Sequence, residues 1–500
     1  MGAGITSWSA RLRAVWERSH AVPALVMSVL MVACGGGYGG GMGNAYMPPP
    51  MPPPMTGAAA ASMSVGAITG FGSVHLNGLQ FQTTGATINV DGKAGSQGDL
   101  RVGDVVEVKG HHDSASNMDV ADDIEFRSNV QGPASAIDLT AQTLVVLGQT
   151  VAVSEDTSFD DDISPASLAG IKVGDLLQIS GMPAAGGNVQ ATRIERKPAG
   201  TGLQVIGTAA ATDTTAKTLR IDALSVDFSA ATLVDFPGTG PQDGDLVEAT
   251  GMMLDSSGGL QATRLELRTG KELEADTDGN SQIEGLVTRF GSVTDLDVAG
   301  RPVMTTASTA FEGGTAKDLA LNARVEVEGT VGSSGVLTAT QVHIRPVTNA
   351  RIFAQADAVN AMGATVTVLG IKVSVNAMTR FEDHGSQKMD TFSLADVHTG
   401  DWLEIRASRS SAAGSPVTAA RLDRRQAQPH VQLMGVVESA APPNFTILST
   451  NVATTTATQF NQGLNPATFF MSLAGKVVSV QGSWDGAALT ADKVQLGDED

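Results

Sequence analysis

From about residue 65 to the end, the chain alternates apolar and polar positions in short runs and then repeats them. "DVVEVKG" (104–110), "DLLQISG" (175–181), "DLVEATG" (245–251), "ARVEVEG" (323–329), "DWLEIRA" (401–407) and "KVVSVQG" (476–482) are versions of one strand. Val106, Leu177, Val247, Val325, Leu403 and Val478 form one apolar column. Val108, Ile179, Ala249, Val327, Ile405 and Val480 form another two places on. Between them stand Glu107, Gln178, Glu248, Glu326, Glu404 and Ser479. A period of two predicts a strand with one face in a core and the other, carrying this polar column, in water.

A second block follows the first in copies two to six: "VQATRIER" (189–196), "LQATRLEL" (260–267), "LTATQVHI" (337–344), "VTAARLDR" (417–424) and "LTADKVQL" (489–496). Ahead of them stands a Thr-x-Phe step at Thr157/Phe159, Thr309/Phe311, Thr379/Phe381 and Thr458/Phe460. Gly103-Asp104, Gly174-Asp175, Gly244-Asp245 and Gly400-Asp401 read as structural turns. The glycine supplies backbone freedom and the aspartate accepts hydrogen bonds from the turn's amides. Copies four and six replace the pair with Asn322-Ala323 and Gly475-Lys476. Gly110, Gly181, Gly251, Gly329 and Gly482 are expected to end the strand where it bends.

Six copies, roughly 65 to 80 residues apart, account for nearly everything after residue 64. In the second, "TLVVLGQTVAV" (143–153) predicts a hairpin about Gly148 and "SPASLAGI" a single helical turn. About five strands per copy with no long helix predict an all-β chain of six small closed barrels. Closure removes the sheet edges that invite aggregation. The predicted modules are 65–128, 129–199, 200–270, 271–346 (an acidic linker and the fourth copy), 347–427 and 428–500. A six-bladed propeller is the alternative that matches the copy number. Taken as a set, the "VGD-x-V-x-V-x-G" and "AT-x-I" blocks resemble an uncharacterised family of tandem OB-like modules in bacterial envelope proteins. That resemblance implies an OB-like barrel and no activity.

The N-terminal stretch differs. Arg11, Arg13 and Arg18 precede the apolar run Ala21–Ala33, about 13 residues long. That is too short for a spanning helix of about 20 residues and suits a secretory signal over 1–33. It ends in "LMVAC", and Cys34 is the chain's single cysteine. The motif resembles the lipobox of bacterial lipoproteins, with Met31 in place of the usual Leu. The resemblance implies cleavage before Cys34, acylation of that residue with palmitate among the chains, and, with Gly35 following, sorting to the outer membrane. Gly runs, Pro triplets and methionines fill 35–64, so 34–64 reads as a lipidated cysteine and a tether.

Net charge is −20 and aromatics make up 4% of the chain. An acidic surface repels phosphate backbones, and base-stacking platforms need exposed aromatics, so nucleic acid is not an expected partner. Beyond the tether there is no tyrosine and the only tryptophans are Trp402 and Trp484; Trp402 falls in an apolar column and Trp484 at an exposed hairpin tip. "HHD" (111–113) with Asp119, Asp122 and Asp123, "FDDD" (159–162) and "FEDH" (381–384) read as solvated loops. The best metal candidate is "EADTDGNSQIE", where Glu274, Asp276, Asp278 and Glu284 have the alternation of a calcium loop. No nucleophile or acid–base pair stands out, so no catalytic residue is expected and the chain is not expected to be an enzyme. No cofactor is expected, calcium at Glu274, Asp276, Asp278 and Glu284 being the alternative. The expected function is a non-catalytic envelope lipoprotein that displays repeated barrels for binding or scaffolding. It would be held at the outer membrane by lipid and face the periplasm or the exterior, with an envelope protein or polysaccharide as partner. A calcium- or metal-binding envelope protein is the alternative; an enzyme acting on envelope polymers is the third.

Overall fold

The computed structural model describes residues 61–238, 240–268, 280–409, 416–460, 465–471, 473 and 475–497. Module 2 shows the design. Val130–Asp138 pairs antiparallel with Thr143–Val146, which turns at Gly148 into Gln149–Ala152. Gln149–Ala152 runs parallel to Val189–Arg196, which pairs antiparallel with Leu176–Pro183, which returns to Val130–Asp138. This closed ring has the OB strand order, with the third and fifth strands parallel. Modules 3 (203–267), 4 (280–344), 5 (350–424) and 6 (431–496) close the same ring. Each of these five copies closes on itself, so the propeller alternative does not form.

The repeated residues do defined work in that ring. In the Gly-Asp turns the aspartate accepts the amide three residues back: Arg101, Lys172, Gln242 and His398 donate to Asp104, Asp175, Asp245 and Asp401 at 2.8–3.0 Å. Gly103 has φ +91°, which requires glycine's freedom. In module 4 Asn322 takes the left-handed position at φ +63°, and the turn survives without the motif. Each threonine of the Thr-x-Phe step donates its hydroxyl to the alanine carbonyl of the last strand. Thr157, Thr309, Thr379 and Thr458 bond Ala191, Ala339, Ala419 and Ala491 at 2.7–2.8 Å. Ile88 and Leu233 stand at the phenylalanine position in modules 1 and 3.

Four expectations are corrected. The recurrent glycines do not end the strand. They sit within it at a bulge, as at Glu328/Gly329, where the strand bends to close the barrel. A Cβ on Gly329 would lie 2.0 Å from the Thr338 carbonyl oxygen. Gly329→Ala is therefore expected to cost about 1–3 kcal/mol, measured by urea unfolding. Module 5 carries Ala407 at the same register shift, so Ala407→Gly should change stability by no more than about 1 kcal/mol.

The second correction concerns the tether. Ala61–Ser64 belong to the first strand, Ala61–Ala67. That strand pairs antiparallel with Val105–Asp113 of its own module and parallel with Asn280–Ser292 of module 4. Met63 and Val65 enter module 4's core, while Ile68 enters module 1's. Third, the polar column does not face water: Glu248, Glu326 and Glu404 are 3–5% exposed. Fourth, Trp484 is not a free tip, because it packs partly buried against the core shared by modules 5 and 6. Trp402 is half-buried beside Phe353, with ring centroids 5.3 Å apart.

Burial of the polar column follows from how the barrels join. Modules 2 and 3 share a sheet through Val130↔Val205, modules 5 and 6 through Ile352↔Leu433, and modules 1 and 4 through the first strand. All six belong to one compact unit. Barrel exteriors thus become interiors, and the acidic column meets arginines. Glu248 pairs with Arg127 at 3.0 Å, Glu326 with Arg345 at 2.8 Å, and Glu404 with Arg351 at 2.5 Å and Arg425 at 2.9 Å.

Candidate functional site between modules 2 and 5

Two Thr-x-Phe segments, one from each module, meet face to face. Thr379, tied to Ala419, launches the strand Arg380–Asp383 parallel to Val417–Arg424, with Arg380 opposite Arg421 and Glu382 opposite Asp423. Most of "FEDH" is therefore strand rather than loop. From module 2, Ser158 donates its hydroxyl to Glu382 Oε1 at 2.5 Å. The Thr157 carbonyl accepts Arg421 Nη1 at 2.9 Å, and the Asp156 carbonyl accepts Arg380 Nη2 at 2.6 Å. Arg406 pairs with Glu155 across the same seam.

The acidic turn of module 2 completes the contact. Asp161 accepts His384 Nδ1–H at 2.5 Å and Lys388 Nζ at 2.6 Å. "FDDD" and "FEDH", far apart in sequence, are two halves of one junction. Beside it opens a pocket of about 430 Å³ walled by Phe159, Ile163, Phe353, His384, Lys388 and Arg425.

Glu382, His384 and Asp423 bring one potential ligand atom each within 4.8 Å of one another. With Nδ1–H directed at Asp161, His384 Nε2 lies 3.3 Å from Glu382 Oε2, in a geometry short of a good hydrogen bond. Something positive belongs between them. A divalent ion would compete with guanidinium groups already in place. Arg421 Nε reaches Asp423 at 2.8 Å, Arg425 Nη2 reaches it at 2.9 Å, and Arg193 and Arg421 approach Glu382 at 3.4 and 3.3 Å. A proton needs no such displacement. Burial opposes charging His384, but the contact with Glu382 and the fields of Asp423 and Glu382 outweigh it, so its pKa is raised. Burial likewise opposes ionising Glu382, yet Arg421, His384 and Arg193 hold it well below the usual carboxylate range. His384 thus stands between the carboxylates of Asp161 and Glu382 within a buried ion network that favours its charged form.

Elsewhere the candidate residues separate. His111 pairs with Asp122 and His112 with Asp119, each at 2.9 Å, on an exposed hairpin that presents neighbouring residues to opposite faces. In "FDDD", Asp161 takes His384 and Lys388 while Asp162 approaches Arg196 at 3.6 Å. Glu274, Asp276 and Asp278 lie outside the described residues, as does Cys34. Glu284 is the one member of that set among the described residues. It is buried in the strand Asn280–Ser292, accepts the Ala67 amide at 3.3 Å, and pairs with Arg324 at 2.9 Å and Arg345 at 3.5 Å.

Among the turn aspartates, Asp104 differs from the rest. Module 2 covers it to 4% exposure, and burial, only partly offset by Arg193, pushes its pKa up to about 7. Burial does the same to Glu326, against the opposing field of Arg345. Sequence reasoning missed Arg193, Glu382, Arg421 and Asp423. The available signal was the column of the last strand (Asp123, Arg193, Arg264, Gln341, Arg421, Lys493), whose charge varies while the positions two before and one after it stay apolar.

A family model described as a domain of unknown function, DUF5666, matches residues 64–125, 131–195, 284–343, 355–422 and 434–495, more than half of the chain. Module 3 lies outside these segments yet closes the same ring. Among solved structures, "drosophila Unr CSD456" is 12% identical; the match covers 42% of this chain and 99% of that one at a TM-score of 0.14, too distant to carry an argument. No curated protein matches.

Proposed function

The chain belongs to the DUF5666 family, whose function is unknown, and from that premise we propose that it is a non-catalytic scaffold of the bacterial cell envelope, anchored by lipid on Cys34 at the outer membrane. One observation carries the scaffold half of this reading. Apart from Arg380, the buried charged side chains around Glu382 are paired with one another, as Arg421 is with Asp423 and Glu382, rather than converging on a reacting centre. They fuse the barrels into a body whose outer faces remain for contact with an envelope protein or polysaccharide.

The anchor half is supported by sequence: the basic start, the short apolar run, "LMVAC" and the Gly/Pro-rich tether. Acyl chains contribute about 0.8 kcal/mol per buried CH₂, so several together hold a protein on a bilayer. Metabolic labelling with palmitate, followed by membrane fractionation, tests it. Wild-type protein is expected to carry label and to sediment with outer membranes, and Cys34→Ser to lose both. Unlabelled wild type, or an unlabelled variant that still needs detergent for release, would overturn the anchor.

A further inference from the structure

Six copies of one design allow each position to be compared with its five equivalents. Where the short Thr-x-Phe strand runs beside the last strand, the register pairs Thr87 with Asp123, Ser158 with Arg193, Thr232 with Arg264, Ala310 with Gln341, and Gln459 with Lys493. In the three of these where the last strand carries a cation, Arg193, Arg264 and Lys493, it faces an uncharged residue. Module 5 breaks the rule, for Arg380 faces Arg421. Both are 2% exposed, and like charges directly opposite destabilise a sheet even at its surface.

The two arginines are not equally compensated. Arg421 uses Nε on Asp423, Nη1 on the Thr157 carbonyl and Nη2 on Glu382. Arg380 has no carboxylate within 4.0 Å among the described residues. Its Nη2 donates to the Asp156 carbonyl, and its Nη1 is buried with no protein acceptor. The nearest anions are committed elsewhere. The Asp156 carboxylate takes Thr348 at 2.7 Å and Arg324 at 3.6 Å, and Glu382 takes Ser158, Arg193 and Arg421. Buried charges are ordinarily paired, because an isolated one costs several kcal/mol.

We propose that the junction of modules 2, 4 and 5 binds a single small inorganic anion, chloride, against Arg380 Nη1, where it neutralises the Arg380–Arg421 pair. Burial limits the occupant to a monatomic ion, and the guanidinium donor selects its sign. Burial and the fields of Arg324 and Arg421 lower the pKa of Arg380 only to about 10, so it stays charged at neutral pH and the need for an anion persists.

The test is thermal unfolding of the whole chain in sodium chloride against sodium gluconate at matched ionic strength. Wild type is expected to gain a saturable shift of about 2–4 °C in chloride, as for any ligand preferring the folded state. Arg380→Gln removes the charge and should abolish the chloride-specific part. Should that variant not fold, wild-type crystals soaked in bromide supply the second measurement, with an anomalous peak expected within hydrogen-bonding distance of Arg380 Nη1. Equal melting in the two salts, a chloride shift retained in Arg380→Gln, or bromide absent from Arg380 would each overturn the proposal.

Discussion

Arg421→Met is expected to destabilise the protein by about 3–5 kcal/mol, the scale for removing one partner of a buried ion network. The guanidinium is 2% exposed and satisfies three acceptors: Asp423 at 2.8 Å, the Thr157 carbonyl at 2.9 Å and Glu382 at 3.3 Å. Methionine fills much of the volume but leaves both carboxylates less compensated away from water. It also cuts a direct bond to module 2, so limited proteolysis should release module 5 from module 2 before either barrel unfolds. Glu382→Gln in the Arg421→Met background should recover part of the loss, since it removes one uncompensated charge. Urea unfolding of the two singles and the double mutant measures this. A loss below about 1 kcal/mol would mean that the seam does not depend on the network.

Stability is expected to fall between pH 4.5 and 7.5, by on the order of 5 kcal/mol. Asp104 and Glu326 have folded pKa values of about 7, raised by burial from ordinary carboxylate values. Across this window the native state therefore holds more protons than the unfolded chain, and raising the pH favours unfolding. His384 acts in the same sense. Its folded pKa is raised, so its contribution is complete below about 6.5 and is lost as pH climbs through the folded value. At the acid end the sign reverses. Glu195 and Asp383 are held down at about 2, against burial, by Arg193 with Lys197 and by Arg424 respectively; their stabilisation is present above pH 4.5 and is lost as pH falls toward 2. The maximum should thus lie near pH 5. Asp104→Asn with Glu326→Gln, which keep shape and remove the titration, should flatten the upper limb in chemical denaturation. A double variant with the wild-type slope would refute the assignment.

Much of the barrel was legible beforehand because its determinants are local. Period-two columns, a left-handed residue before the fourth strand, and a threonine answering an alanine carbonyl recur in sequence as in space. The junctions were not legible, because they join residues hundreds of positions apart: Asp161 with His384, Ser158 with Glu382, Arg301 with Glu107. "FDDD" and "FEDH" each look like solvated loops when read alone, since nothing local reveals that one supplies the other's counter-charge.

The repeating unit and its all-β class follow from the sequence, because alternation and turn chemistry act over a few residues and need no partner. Tertiary structure alone decided which acidic side chains leave water. A strand's outer face carries the same Glu or Gln whether it meets solvent or another barrel. Only packing, which places an arginine opposite Glu248, Glu326 and Glu404 and a second arginine opposite Arg380, makes those charges interior ones.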